Sequence, residues 1–152
     1  MSIIREIDFA NFSEVMSCAK IHNNMPISWD SSFKNTKQDD KWLAEKIFSN
    51  KDNADTLYLV ALNDNNNIIG IQWTIVNVQH NKKVGNIISI WVAPNCRNSI
   101  IAKKLNQKTE AWAKTKDVQI LEAHIHKNNF KVLKLSALMG YKSSFIKIEK
   151  TI

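Results

Sequence analysis

The stretch WVAPNCRNSIIAKKL, Trp91 to Leu105, holds residues whose types and spacing could do chemistry. An apolar strand runs into Pro94, a polar turn follows, and helical spacing begins near Ser99. The first four amides of a helix have no partner inside it and carry about half a unit of positive charge. A pyrophosphate fits such an end, and Arg97, Lys103 and Lys104 add positive charge around it. Phosphate-holding turns usually contain glycine, and this one has none. Backbone amides do the holding, and every residue but proline has one. The spacing therefore requires only that Ile100 keep a negative φ, since a β-branched residue is an outlier at positive φ. Cys96 stands beside Arg97, and a cationic neighbour lowers a thiol pKa. With no histidine near it in sequence, a nucleophilic role for Cys96 lacks its base. Further along, Glu122, His124 and His126 alternate on one face of a predicted strand. An unperturbed histidine titrates near pH 6.5 (about) and suits proton uptake near neutrality.

Those residues need elements to hold them. IIREIDF, Ile3 to Phe9, reads as a first strand. Ser13 is placed to cap a helix through about Asn23, with Val15, Ala19 and His22 on one face. Asn23 to Lys37 reads as irregular but carries Met25, Trp29 and Phe33, which either touch a ligand or plug the core. Asp39 or Asp40 is placed to cap a second helix, with Trp42, Leu43, Lys46 and Ile47 at helical spacing. Thr56–Leu62 and Ile68–Val78 form a predicted hairpin about NDNNN, and HNKK turns the chain into a strand at Val84–Val92. The helix from about Ser99 to Lys116 turns Ile101, Leu105 and Trp112 inward. A strand at Val118–His126 follows, then a helix capped by Asn128 or Asn129 and stopped at Gly140, and Tyr141–Ile152 closes as a strand. The Val84–Val92 strand, its helix and the Val118–His126 strand make a right-handed crossover, hence a parallel pair. The expectation is one α/β domain over residues 1–152: a three-layer mixed sheet with helices on both faces.

Composition narrows the partners. Lys plus Arg is 21 against 14 for Asp plus Glu, a net charge of +7 that suits an anionic partner. The lysines are scattered and form no stripe with interleaved aromatics, so no nucleic-acid partner is expected. Cys18 and Cys96 form no metal spacing and no disulfide framework, so no metal is expected and Cys18 reads as core. The chain shows no long apolar window and no leader, which reads as soluble and cytoplasmic with no membrane partner.

The element order and VAPNCRNSIIAKKL resemble the GCN5-related N-acetyltransferase (GNAT) family, which carries Q/R-x-x-G-x-G/A after a Val-x-Pro strand end. Arg97 matches the first position and Ala102 the last, while Ile100 replaces the first glycine. NFKVLKLSALMGY resembles the family's N-x-x-A…Y-x-x-x-G-F/Y helix at Asn129, Gly140 and Tyr141, with Val132 for the alanine and Ser136 for the tyrosine.

The resemblance implies a GNAT-like acyl-CoA N-acyltransferase fold and acetyl-CoA as the acyl-donor cosubstrate. It puts the pyrophosphate on Arg97, Asn98, Ser99, Ile100, Ile101, Ala102 and Lys103. It puts the pantetheine arm along Ile90, Trp91 and Val92, with Asn129 touching that arm. Asn129 also reads as a helix cap, and Asn128 can share either role. Many members use a glutamate on the strand that here reads NIISIWV, where Ile88 and Ser89 offer no carboxylate. A branch that includes the ribosomal-protein N-terminal acetyltransferases uses a glutamate five residues before the motif asparagine, and His124 stands there. His124 is thus the expected proton acceptor, against a surface role. Ser136 stands where a tyrosine would protonate the leaving thiolate; it is a poor acid, against an ordinary helix role. The expected acceptor is a primary amine of a small molecule or a protein, in a groove walled by Asn23–Lys37, the asparagine hairpin and Ile68–Val78. The rival readings are a non-catalytic acyl-CoA-binding or regulatory module on the same fold, and a nucleic-acid-binding protein. A homodimer is left open.

Overall fold

The computed structural model describes residues 1–97 and 100–152. The chain runs β1 (Ile3–Glu6), α1 (Phe12–Asn24), a tight turn at Met25–Ser28, α2 (Lys37–Ser49), β2 (Thr56–Leu62), β3 (Ile68–Gln79), β4 (Lys82–Val92), α3 (Ile101–Thr115), β5 (Ile120–Ala123) and α4 (Phe130–Leu138). The strands form one sheet in sequence order. β1 to β4 pair antiparallel, and β4 and β5 pair parallel across the α3 crossover; the sequence predicts the two hairpins and the parallel pair, and leaves the place of β1 unassigned.

Each sheet face carries its own core. Val15, Cys18 and Ala19 of α1 and Leu43, Ala44 and Ile47 of α2 pack with Tyr58, Val60, Ile71 and Trp73. On the other face, Ile101 and Leu105 of α3 cover Leu57, Leu59 and Ala61. The inward face of α3 is the expected one, with Trp112 packed at its margin. Both hairpins form as expected: Asn66 takes φ 59° in the asparagine turn, and His80 and Asn81 take 48° and 61° in the two-residue turn before β4.

Several local expectations are corrected. Asn11, not Ser13, caps α1, its side chain accepting from the Glu14 amide at 3.2 Å. Glu14 reaches back to Arg5 and to the Asp8 amide, which fixes the entry of the helix one turn earlier. Thr36 caps α2 in a reciprocal box with Asp39, so Asp39 is the third helical residue and not the cap. That start turns Asp40, Leu43, Ala44 and Ile47 inward. Trp42 points outward, with the Lys46 ammonium 5.1 Å over its ring. Asp40 is buried and accepts from Asn23 at 3.0 Å and Asn35 at 2.6 Å, tying α2 to the end of α1 and to the loop between them.

β5 ends at Ala123, so of Glu122, His124 and His126 only the first lies in a strand. No strand forms over residues 141–152. Phe145, Ile146 and Ile148 there are almost wholly exposed. Alternating apolar residues supply a strand's faces, but its ladder needs an edge to pair with, and this segment pairs with none. Gly140 does end α4 in the left-handed region, at φ 91°. Among the described residues no helix is long and apolar enough to cross a membrane.

Candidate active site

The opening that could hold a ligand comes from a strand pair that stops early. β4 meets β5 only over Val84–Ile87 against Ile120–Ala123, yet β4 runs on to Val92. From Ile88 onward it keeps β3 as its strand neighbour and pairs with no strand on the β5 side. A bulge sits at the start of that free edge: Ile87 pairs with Thr74 and Ser89 with Trp73, which leaves Ile88 as the extra residue. Bulges bend a strand and raise its twist, which here turns β4 out of register with β5. Ile90, Trp91 and Val92, the residues expected along a pantetheine arm, lie on this edge and are half-buried.

Beyond Val92 the chain folds back tightly. The Ala93 amide donates to the Ile69 carbonyl at 2.9 Å, and the Cys96 amide to the Ala93 carbonyl at 2.8 Å. Arg97 Nε donates to the Val92 carbonyl at 3.3 Å, which holds its guanidinium beside the strand end. Arg97, Trp91, Lys20, Ile21, Asn24 and Met25 line a cleft of about 290 Å³ between the end of α1 and the end of β4. Ile100 has φ −76° and ψ 0°, the negative φ that the missing glycine demands, and its carbonyl accepts the Lys104 amide at 2.9 Å. It is 58% exposed, while Ile101 and Ala102 are buried in the sheet face and Lys103 is exposed. α3 runs from Ile101, and the expected start at about Ser99 lies outside the described residues. Asn98 and Ser99, also expected to meet the pyrophosphate, lie outside the described residues.

The remaining expected residues lie in the loop after β5 and on α4. His124 is exposed in the loop after β5. His126 stacks on Trp29 with ring centres 5.8 Å apart and planes 15° from parallel, so the loop after α1 reaches the loop after β5. The Asn128 amide donates to His126 Nδ1 at 3.1 Å. Asn129 occupies the cap position of α4, but its side chain makes no cap bond. Ser136 is half-buried on α4. Tyr141 donates to Asn106 Oδ1 at 2.6 Å, which pins the end of α4 to α3; burial, with the Glu110 charge added, pushes its phenol up to about 12.

One pair escaped the sequence reading. His22 Nδ1 hydrogen-bonds Ser89 Oγ, joining α1 to β4 just past the bulge. Ser89 is 2% exposed, and the His22 ring stands edge-on to Trp73 at 6.2 Å. Burial holds the imidazole pKa below its usual value. The sequence puts His22 on the inner face of α1 and Ser89, with Ile88, on the strand expected to lack the family's carboxylate. No spacing rule joins two residues 67 apart.

The model of the acetyltransferase (GNAT) family matches residues 21–141, most of the chain. The protein belongs to the GNAT acetyltransferase family. Solved GNAT acetyltransferases share the fold. An aminoglycoside 6'-N-acetyltransferase from Acinetobacter baumannii is 18% identical, with TM-score 0.74 over 100% of this chain and 99% of that one. An aminoglycoside acetyltransferase from an uncultured soil metagenomic sample is 16% identical, with TM-score 0.73 over 99% and 96%. An acetyltransferase from Trypanosoma brucei is 13% identical, with TM-score 0.70 over 100% of both chains. No curated protein matches the sequence. Among the described residues of this GNAT protein, no three His, Cys, Asp or Glu side chains converge as a metal site would require.

Proposed function

We propose that this GNAT protein is an N-acetyltransferase that uses acetyl-CoA and acetylates a primary amine of a small molecule or protein. The observation that carries the reading is the β4 edge from Ile88 to Val92, which pairs with no strand on the β5 side and precedes α3 in the chain. An edge with free backbone groups suits an arm that contains amides of its own. The negative φ at Ile100 lets the first turn of α3 keep its amides without strain. The residues present therefore fit the cosubstrate. Ile90, Trp91 and Val92 would hold its arm, with Asn129 from the other side. Arg97 and the turn from Asn98 to Lys103 would hold its pyrophosphate. The cosubstrate supplies an acetyl group activated as a thioester. The chain orients the amine against it and takes up a proton. His124, exposed in the loop after β5, is one acceptor for that proton, and Ser136 can hydrogen-bond near the departing sulfur. The domain spans residues 1–152 and works in the cytoplasm in this reading.

A second reading, an acyl-CoA-binding module without turnover, draws on Ser136 in place of an acid and on the absence of any carboxylate lining the cleft. A thermal-shift titration with acetyl-CoA tests binding. Release of free thiol from acetyl-CoA over a panel of primary amines, aminoglycosides included, tests the reaction. Stabilisation together with thiol release supports the enzyme. Stabilisation without release selects the module, and no stabilisation at millimolar acetyl-CoA removes both.

A further inference from the structure

We propose that His22 is the group that takes the proton from the acceptor amine, with Ser89 positioning its ring. This rests on the N-acetyltransferase reading and deepens it. Three observations carry the inference. His22 Nδ1 is bonded to Ser89 Oγ, and Ser89 is buried on β4 immediately after the bulge that opens the strand. Trp73 stands edge-on to the imidazole, and Tyr58 stacks on Trp73 with ring centres 5.5 Å apart, so the ring is held by packing as well as by its bond. Among the described residues the His22 side chain hydrogen-bonds only through Nδ1, which leaves Nε2 without a partner there, and its neighbours Ile21, Asn24 and Met25 line the cleft that Trp91 closes from β4. Ser89 and Trp91 alternate onto the same sheet face, so the pair and the cleft wall share one side of β4.

The chemistry follows from which nitrogen is free. A serine hydroxyl can accept as well as donate. When Ser89 accepts from Nδ1–H, the lone pair is left on Nε2, the nitrogen that Ser89 does not hold. An ammonium acceptor gives one proton to Nε2, and the nitrogen lone pair so freed attacks the acyl carbon. The C–N bond forms, the C–S bond breaks, and its electron pair leaves with sulfur. The second N–H proton neutralises that thiolate, and the third stays on the amide. The products are the acetylated amine, the thiol and an imidazolium, which Ser89 stabilises by accepting from Nδ1–H.

Burial alone accounts for the lowered pKa of His22. Of the titratable groups on the elements around it, Cys18 and Tyr58 share the buried cluster with Trp73, Asp40 of α2 is held by Asn23 and Asn35, Glu14 of α1 is held by Arg5, and Lys20 and Arg97 line the adjoining cleft. Burial disfavours the charged ring and so favours the neutral form that can accept a proton.

Two measurements decide it. Long-range proton–nitrogen spectra of the imidazoles report the tautomer without turnover. His22 is expected to carry its proton on Nδ1, and Ser89→Ala is expected to release it to a mixture of tautomers. Carriage of the proton on Nε2 alone would leave no outward lone pair and overturns the proposal. With acetyl-CoA and any amine the wild-type protein acetylates, His22→Gln should lower kcat about 10²–10⁴-fold. It should also abolish the fall in kcat/KM below the imidazole pKa, while KM for acetyl-CoA stays within about threefold. Glutamine keeps a donor for Ser89, so loss of packing does not produce that pattern. An acidic limb that survives in His22→Gln and disappears in His124→Ala moves the role to His124. If the wild-type protein acetylates no amine, the functional reading falls, and the spectra still decide how the pair is arranged.

Discussion

Gly70 is where the fold and the proposed cradle meet, and Gly70→Ala should damage both. A methyl group built on Gly70 would sit 3.0 Å from Ile101 Cγ2, 3.1 Å from Leu105 Cδ1 and 3.3 Å from Ala61 Cβ. Each distance is tighter than normal contact, so a neighbour must shift by a few tenths of an ångström. Ile101 is 6% exposed and Leu105 and Ala61 are fully buried. Ala61 belongs to β2, so the strain falls on α3. Overpacking of this kind costs about 1–3 kcal/mol. At about 2–4 °C per kcal/mol for a chain of this size, the melting temperature should fall by about 2–12 °C. The cheapest relief moves the first turn of α3 outward, because Ile101 is its first residue. That turn carries the amides proposed to hold the pyrophosphate, so affinity for coenzyme A should fall more than stability alone explains. Urea unfolding gives the first number and calorimetric titration with coenzyme A, at a temperature where the variant is folded, gives the second. An unchanged urea midpoint would refute the packing argument. A destabilised variant with wild-type affinity would show that the start of α3 does not hold the phosphates.

Three further outcomes are expected. Ile100→Gly should leave coenzyme A affinity within about threefold, because Ile100 already has φ −76° and glycine's advantage lies at positive φ; a large gain on titration would mean the turn is strained in the wild type. Glu14→Gln should cost about 1–2 kcal/mol at pH 7, since Glu14 accepts from Arg5 at 2.8 and 2.7 Å and from the Asp8 amide at 2.8 Å, with Arg5 partly exposed. The Arg5 guanidinium holds the Glu14 carboxyl below its usual value, so this stabilisation is full above about pH 4.5 and fades as pH falls through the lowered pKa. Urea midpoints of the two proteins should therefore converge in acid, and a constant gap would contradict the ion pair. Burial pushes the Cys18 thiol up to about 12, so a disulfide thiol reagent at pH 8 should modify Cys96 in the folded protein and reach Cys18 only on unfolding. Two fast-reacting thiols would show that the α1 face opens.

The parts of this fold legible in sequence are those whose signal is local. NDNNN and HNKK mark hairpins because Asn and His tolerate positive φ, and Asn66, His80 and Asn81 adopt it. Gly140 marks the end of α4 for the same reason. Ile101 and Leu105 mark the inner face of α3 because helical spacing alone selects them. Legibility fails where two local signals compete. Thr36 and Asp39 both resemble caps, and only their reciprocal bonding decides that the threonine is the cap, which in turn rotates Trp42 outward. It fails again where an element needs a partner. The alternation from Glu122 to His126 outruns the strand, because β4 has already bent away from β5.

The His22–Ser89 pair shows why a site can hide even when every element around it is read correctly. Asn86 pairs with Ile75, whose side chain joins the core under α1 and α2. Strict alternation from Asn86 would put Ile88 and Ile90 on that face and send Ser89 to the α3 side. The bulge at Ile88 inserts one residue and exchanges the faces of everything after it. Ser89 pairs with Trp73 and comes beneath His22, and Ile90 pairs with Gln72 toward α3. NIISIWV contains no glycine or proline to announce a bulge. The irregularity that opens β4 for a ligand is also the one that brings a buried hydroxyl to the only histidine on α1, so a change that straightens the strand should disturb both together.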